Sequence, residues 1–372
     1  MAQRAVASVN TAAIERNTAL MAQAAGGATV CAVVKADGYG HGMMQAARAA
    51  LAGGAEWLAV ATAAEAAGLR EAGIGEPVLV MGAMTDEEAA MAVEARADLV
   101  AWTAEFIDLV ESLGGAPIHV KLDSGMGRLG TRSEDEATSL AERVAASGAS
   151  RLAGLMTHFA TADEAGDDFF GEQLSCFRAW AQPLSDRHPE ALVHAANSAA
   201  VLREPAAAFD MVRPGVALYG MDPFGEDAGA RGLEPALGLS SWVGAVKRCE
   251  PGESVGYGRA FVAREPTVIA TVPIGYGDGW RRALGNRSEV IVAGERRPVV
   301  GMVSMDNLAV DLGTGSRVSV GEPVDVLGGG GPEPVTAEEV AGELGTINYE
   351  VTCALTSRVA RAYHRDGERV PA

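Results

Sequence analysis

In the stretch "AVVKADGYGHG" (32–42) a single lysine, Lys35, closes an apolar run and is followed at once by an acid, two glycines, a tyrosine and a histidine. An amine delivered by a strand into a partly dry pocket is held below its ordinary pKa and becomes a nucleophile for carbonyl carbon. The plain alternative is a solvated lysine; the flanking strand and the glycine-rich turn weigh against it. Other unusual polar residues also stand where apolar runs end. Lys121 and Asp123 open "KLDSGMGRLG", with Arg128 just beyond, and His158 closes "LAGLMTH". Asn197 and Ser198 close "ALVHAANS", and Arg213 with Gly215 closes "FDMVRPG". Any one could be structural. Brought to one face, they read as a site.

Eight short apolar runs would have to position them: 29–36, 57–61, 77–82, 98–102, 117–123, 152–158, 191–198 and 209–215. Most gaps between them hold one Ala-rich helical stretch, so the alternation predicts a (β/α)8 barrel over residues 1–238. A doubly wound open sheet competes, but no GxGxxG turn follows the first strand. In such a barrel chemistry gathers at the C-terminal ends of the strands, and phosphate binds in the loops after strands seven and eight. "NSAA" and "RPGVALYG" stand there, offering a hydroxyl and backbone N–H groups. A carbonyl-reactive lysine beside a phosphate site suggests pyridoxal 5′-phosphate.

From about residue 240 the texture becomes β-branched, with Gly, Pro and Asn between short runs, which predicts a mainly-β domain over 239–372. The run "GGGG" (328–331) reads as a loop, and a helix is expected at "TAEEVAGEL". The 372 residues carry 30 Lys+Arg against 49 Asp+Glu, a net charge of -19, which argues against nucleic acid or anionic membrane as a partner. Cys31, Cys176, Cys249 and Cys353 form no CxxC pair, which speaks against a zinc site or a disulfide framework. With no signal-like apolar core near Arg4, Glu15 and Arg16, a cytoplasmic protein is expected. His41, His119, His188, His194 and His364 show no ligand-like grouping and read as structural or surface residues.

The motifs "AVVKADGYGHG", "KLDSGMGRLG", "THFATAD", "NSAA", "VRPGVALYG", "VGYGRAF", "PIGYGDGW", "GMVSMDN" and "INYEVTCALTSRV" resemble those of the alanine racemases, in the same order, over roughly residues 5 to 365. That resemblance implies an isomerase that interconverts L- and D-alanine and supplies D-alanine for peptidoglycan. Lys35 would hold the cofactor covalently and serve as one of two bases. Tyr39, Ser198, Gly215, Val216 and Tyr349 would bind the phosphate, with Asn197 beside them. Arg213 would face the pyridine nitrogen, and Arg128 the ring oxygen and the substrate carboxylate. Lys121 would be carbamylated and hold Arg128, although an ion pair of Lys121 with Asp123 stays open. Tyr257 would be the second base, assisted by His158 and, through it, Arg213. Tyr257, the substrate-binding Met305 and the entrance residue Tyr276 would reach the barrel of a partner subunit, making a homodimer with shared active sites; Tyr349 would also line the entrance. Ser304 and Val216 depart from residues common in the family without removing a catalytic group.

Rival readings are weighed against these residues. A decarboxylase of similar architecture places an acid at the pyridine nitrogen, where this chain has Arg213. A non-catalytic cofactor carrier would be a barrel alone and would leave the domain containing Tyr257 without purpose. A racemase of broader specificity, taking serine or basic amino acids, remains open.

Overall fold

A computed structural model describes residues 4–329 and 333–370, so the second half of the 328–331 glycine run lies outside the described residues. After a first strand, β1 (Val6–Asn10), the chain lays down eight parallel strands. They are β2 (Thr29–Val33), β3 (Trp57–Val60), β4 (Val78–Val80), β5 (Asp98–Ala101), β6 (Pro117–Lys121), β7 (Arg151–Met156), β8 (Leu192–His194) and β9 (Met211–Val212). Each follows its neighbour in order, and β9 pairs back onto β2 through Thr29↔Met211 and Val30↔Val212, closing the barrel. Every one of the eight apolar runs holds one strand, as the alternation predicts.

These strands have no polar face because both of their sides are covered, as in all-parallel sheets generally. Val78, Leu79 and Val80 are wholly buried, as are Leu58, Ala59 and Val60. The connecting helices begin at side-chain caps written in the sequence. Thr62 and Glu65 form a capping box ahead of Ala63–Glu71, and Thr85 and Glu88 another ahead of Asp86–Glu94.

The described residues form two compact units. One comprises Ile14–Gly38 and Ala46–Leu218, which include the whole barrel. The other takes in the segment ending at Ala13, Tyr39–Gln45 and everything from Tyr219 onward. Its largest sheet has seven strands: β1, β10 (Leu237–Trp242), β15 (Glu289–Val292), β16 (Glu295–Pro298), β18 (Pro323–Leu327), β19 (Ala360–Arg365) and β20 (Glu368–Arg369). Between β10 and β15 come β11 (Ala245–Cys249), the hairpin β12 (Ser254–Val255) with β13 (Phe261–Val262), and β14 (Thr267–Val272). β17 (Leu308–Asp311) joins β11 and β14 in a second sheet. The mainly-β reading holds, and the helix expected at "TAEEVAGEL" is Ala337–Leu344, capped by Thr336. Among the described residues no helix is long and apolar enough to cross a membrane.

Candidate active site

In the barrel unit Lys35 leaves the end of β2 half-buried and enters a left-handed turn. Ala36, Asp37 and Gly38 have φ of 54°, 54° and 60°, and Tyr39 has φ 54°. Left-handed geometry costs a non-glycine residue roughly 1–2 kcal/mol, so a run of it needs an external clamp. Glu65 supplies one. Its Oε1 accepts the Ala36 N–H at 2.7 Å, while Oε2 accepts the N–H groups of Ala61 and Thr62 at 2.8 and 3.1 Å. Glu65 is thus both the partner of Thr62 in a helix cap and the clamp of the turn after Lys35, a second role that sequence reasoning missed.

Arg213 follows β9 and is buried. Its Nη2 donates to the carbonyls of Thr157 and Ala195 at 2.8 and 3.0 Å and lies 3.5 Å from His158 Nδ1. Its Nη1 is 2.5 Å from His194 Nδ1. No carboxylate of the described residues pairs with it. Desolvation lowers the guanidinium to about 10, so it keeps its charge at neutral pH. Desolvation, then the charge of Arg213 and the cations Arg128, Lys121 and Lys35, hold His158 well below the ordinary histidine value; it is a neutral ring. Arginine only donates, so His158 Nδ1 is the acceptor and Nε2 carries the hydrogen.

Lys121 ends β6 and is buried. Burial first, then Arg213 and Arg128, lower its amine to about 8. The open alternative, an ion pair with Asp123, is not formed. Asp123 accepts the N–H groups of Gly125 and Gly127 at 3.1 and 2.9 Å and faces Arg132 Nε at 3.4 Å, so its carboxylate fastens the loop that carries Arg128. Arg128 itself is exposed.

After β8, Asn197 caps the short helix Ser198–Arg203 through the Ala200 N–H at 3.0 Å. The buried Ser198 hydroxyl accepts the N–H groups of Gly215 at 2.9 Å and Ala217 at 3.3 Å. The hydroxyl and the Gly215–Val216 turn are thereby brought together, as "NSAA" and "RPGVALYG" suggest. One unit therefore holds Lys35, Lys121, His158, Asn197, Ser198, Arg213, Gly215 and Val216 at or just beyond the C-terminal ends of its strands, with Arg128 on the loop after β6.

The β-rich unit holds the rest. Tyr39 stacks on Tyr219 with ring centroids 4.9 Å apart and meets Tyr349 at 5.9 Å. Tyr257 sits on the turn between β12 and β13 with 71% of its surface exposed; Met305 and Tyr276 are 52% and 41% exposed. The loops of the last two are zipped together: Tyr276 N–H donates to Ser304 O at 3.0 Å and Gly277 N–H to Met305 O at 2.9 Å. Gly275 permits this, since a Cβ there would lie 2.2 Å from Ser304 O. An ion-pair lattice unread in the sequence braces the same loops. Arg358 bonds Asp278 at 3.2 Å and Asp306 at 2.6 Å, and Arg4 reaches Asp278 at 3.4 Å. Tyr257, Met305 and Tyr276 thus all face solvent, the last two on braced loops.

Comparison with known proteins gives one answer along the chain. Residues 9–223 match the alanine racemase N-terminal domain family and residues 236–363 the alanine racemase C-terminal domain family. The alanine racemase of Geobacillus kaustophilus is 42% identical over 91% of this chain and 89% of its own length. That of Thermobifida fusca is 42% identical over 98% and 99%. Among solved structures, the alanine racemase of Streptomyces lavendulae superposes with a TM-score of 0.91 at 34% identity, covering 98% of each chain.

Proposed function

The chain belongs to the alanine racemase family, and from that premise we infer how its own residues interconvert L- and D-alanine, with pyridoxal 5′-phosphate as cofactor. It is an amino-acid racemase, an isomerase, and its D-alanine serves peptidoglycan synthesis. When bound, the cofactor supplies an electron-withdrawing ring that acidifies the Cα–H of an attached amino acid. The donor set suits it: a strand-end lysine, a buried guanidinium, and a serine hydroxyl with two N–H groups gathered at a glycine turn. Lys35 holds the cofactor covalently. Ser198 and the turn at Gly215 and Val216 would hold its phosphate, with Asn197 fixing the short helix behind Ser198; the family resemblance gives Tyr39 and Tyr349 the same role.

Two bases are needed because the proton must leave one face of Cα and return to the other. Lys35 serves the face from which D-alanine loses its proton. Tyr257 of the partner subunit serves the opposite face, with the Nε2–H of neutral His158 free to donate a hydrogen bond to the tyrosinate and so pass on the influence of Arg213. The barrel is then the cofactor-binding body, the β-rich unit donates the second base, Met305 meets the substrate, and Tyr276 and Tyr349 line the way in. The protein works as a cytoplasmic homodimer.

Arg213 carries this reading. Facing the ring nitrogen of a bound cofactor, this fixed cation would disfavour protonating it and so would limit how far the ring withdraws electrons. That would suit return of the proton to Cα by the protein's own bases, which yields alanine. An acid at the same place would favour decarboxylation or transamination. The test is direct: the cofactor-loaded protein, given L-alanine in deuterated water, should exchange the α-hydrogen and reach equal amounts of the two enantiomers without pyruvate or carbon dioxide. Release of carbon dioxide, or faster turnover of serine or lysine than of alanine, overturns the assignment.

Lys121 and Arg128 complete the substrate side. At pH 7 an amine with a pKa of about 8 is neutral in about one molecule in ten, against about one in 3,000 at its ordinary value of 10.5. Only the neutral amine captures carbon dioxide, and the resulting carbamate anion would hold Arg128 for the substrate carboxylate. The neutral fraction grows as pH rises towards 8, so carbamylation strengthens in that direction. Protein stripped of bicarbonate at pH 6 should show a KM for alanine about tenfold higher, the worth of one charge-assisted hydrogen bond. Labelled bicarbonate at pH 8 should restore it and give a carbamate carbon signal. A KM indifferent to bicarbonate refutes the modification.

A further inference from the structure

Arg213 is a buried cation with no carboxylate of the described residues beside it, an arrangement that is costly unless charge is supplied from further away. Cys31, the other titratable group that acts on it, is no anion, because burial pushes its thiol up to about 12. A hydrogen-bonded chain leads away from the guanidinium instead. Arg213 Nη1 meets His194 Nδ1 at 2.5 Å, His194 Nε2 meets His119 Nδ1 at 2.8 Å, and His119 Nε2 meets Asp98 Oδ2 at 3.3 Å. Asp98 opens β5 and Arg213 follows the last residue of β9. Because the strands are parallel, the chain runs through the barrel interior from one end to the other.

Its hydrogens can be arranged in only one way. Arginine has no acceptor, so His194 Nδ1 is bare and Nε2 carries the hydrogen. That hydrogen is donated to His119 Nδ1, which must also be bare, leaving Nε2–H to face the Asp98 carboxylate. A protonated His119 would place a second N–H against His194 Nε2 and strip that ring of its last hydrogen, so His119 is neutral too. Loss of hydration and the Arg213 charge hold His194 well below its ordinary value, in agreement.

The barrel makes room for this chain. A Cβ on Gly154 of β7 would lie 2.2 Å from His119 Nδ1, and the pairing of β6 with β7 shifts register between Ile118 and His119. Trp57 closes the other side, edge-on to His119 at 5.9 Å.

We propose that Asp98 is a positioning residue for Arg213, acting through His119 and His194: it fixes both rings as Nε2–H tautomers, so the guanidinium meets a pure acceptor, and it is the remote counter-charge of that cation. This keeps Arg213 anchored without placing an anion where it would neutralise the charge aimed at the cofactor nitrogen. Arg151, 3.7 Å from Asp98 with its side chain 63% exposed, faces the carboxylate from the solvent side and is not required. The functional part rests on the role given to Arg213 above; the tautomers do not.

The experiment labels the ring nitrogens of histidine in the purified protein and reads protonation by NMR, with single histidine substitutions for assignment. In the wild type both His194 and His119 should show bare Nδ1 and protonated Nε2. Asp98→Asn, whose amide can donate to His119 Nε2, should mix the tautomers of both rings. It should also lower kcat for alanine about tenfold with little change in KM, while the share of pyruvate rises. Gly154→Ala, which pushes His119 aside without altering any ionisable group, should do the same; it serves if Asp98→Asn folds poorly. A hydrogen on His194 Nδ1 in the wild type, or tautomers and pyruvate share unmoved in folded variants, overturns the proposal. If the tautomers behave as stated but no alanine is racemised, the functional reading fails and the chain stands.

Discussion

Lys35→Ala should abolish racemisation while leaving the protein folded. Two losses combine in that substitution: the covalent hold on the cofactor and the base for one face of Cα. A positioned general base alone is worth about 10²–10⁴-fold, so with the attachment also gone the rate should fall by at least about 10⁴. The half-buried position of Lys35 at a strand end suits a replaceable side chain, because Glu65 holds the turn behind it through the Ala36 backbone N–H. The competitor is Lys121, whose lowered pKa also makes it a nucleophile. Borohydride reduction of the loaded wild type followed by peptide mapping separates the two. The tag should lie on Lys35. A tag on Lys121, or a Lys35→Ala variant that still exchanges the α-hydrogen of both enantiomers, removes the assignment.

The ease with which Lys35 was found in the sequence contrasts with the silence around Arg213's supports. Strand-end residues are legible because a barrel fixes where its strands point: once eight runs alternate with helices, Lys35, Lys121, His158 and Arg213 share one end by construction. Across-the-barrel contacts follow no such spacing. His119 and His194 each look like a lone histidine in an apolar strand, and only closure of the barrel brings them within 2.8 Å of each other. The signal that existed was Gly154, a glycine inside a strand, which marks a close approach. The same limit applies to β1. Its pairing partners, β10 and β19, lie more than 200 residues away along the chain, and short "VASVN" carries no mark of them. Glu65 is another case: its contact with the Ala36 N–H, 29 residues back along the chain, follows no local spacing.

The exposed Tyr257 leads to the other large effect. Tyr257 is 71% exposed on its turn, and Met305 and Tyr276 are likewise open to solvent. If a partner's barrel covers them, each active site draws Lys35 from one chain and Tyr257 from the other. Lys35→Ala and Tyr257→Ala should then each be inactive alone and complement each other when mixed. In a mixed dimer one site receives both lesions and the other receives none: the intact site combines Lys35 of the Tyr257→Ala chain with Tyr257 of the Lys35→Ala chain. Random re-association makes about half of the dimers mixed, each with one good site of two, so activity should return to about a quarter of wild type. Cross-linking each parent dimer before mixing should prevent the recovery, which ties it to subunit exchange. The decisive control is a pair of tags that shows mixed dimers by mass. If tagged mixed dimers form and stay inactive, Lys35 and Tyr257 act within one chain, and the exposed face of the β-rich unit has some other use.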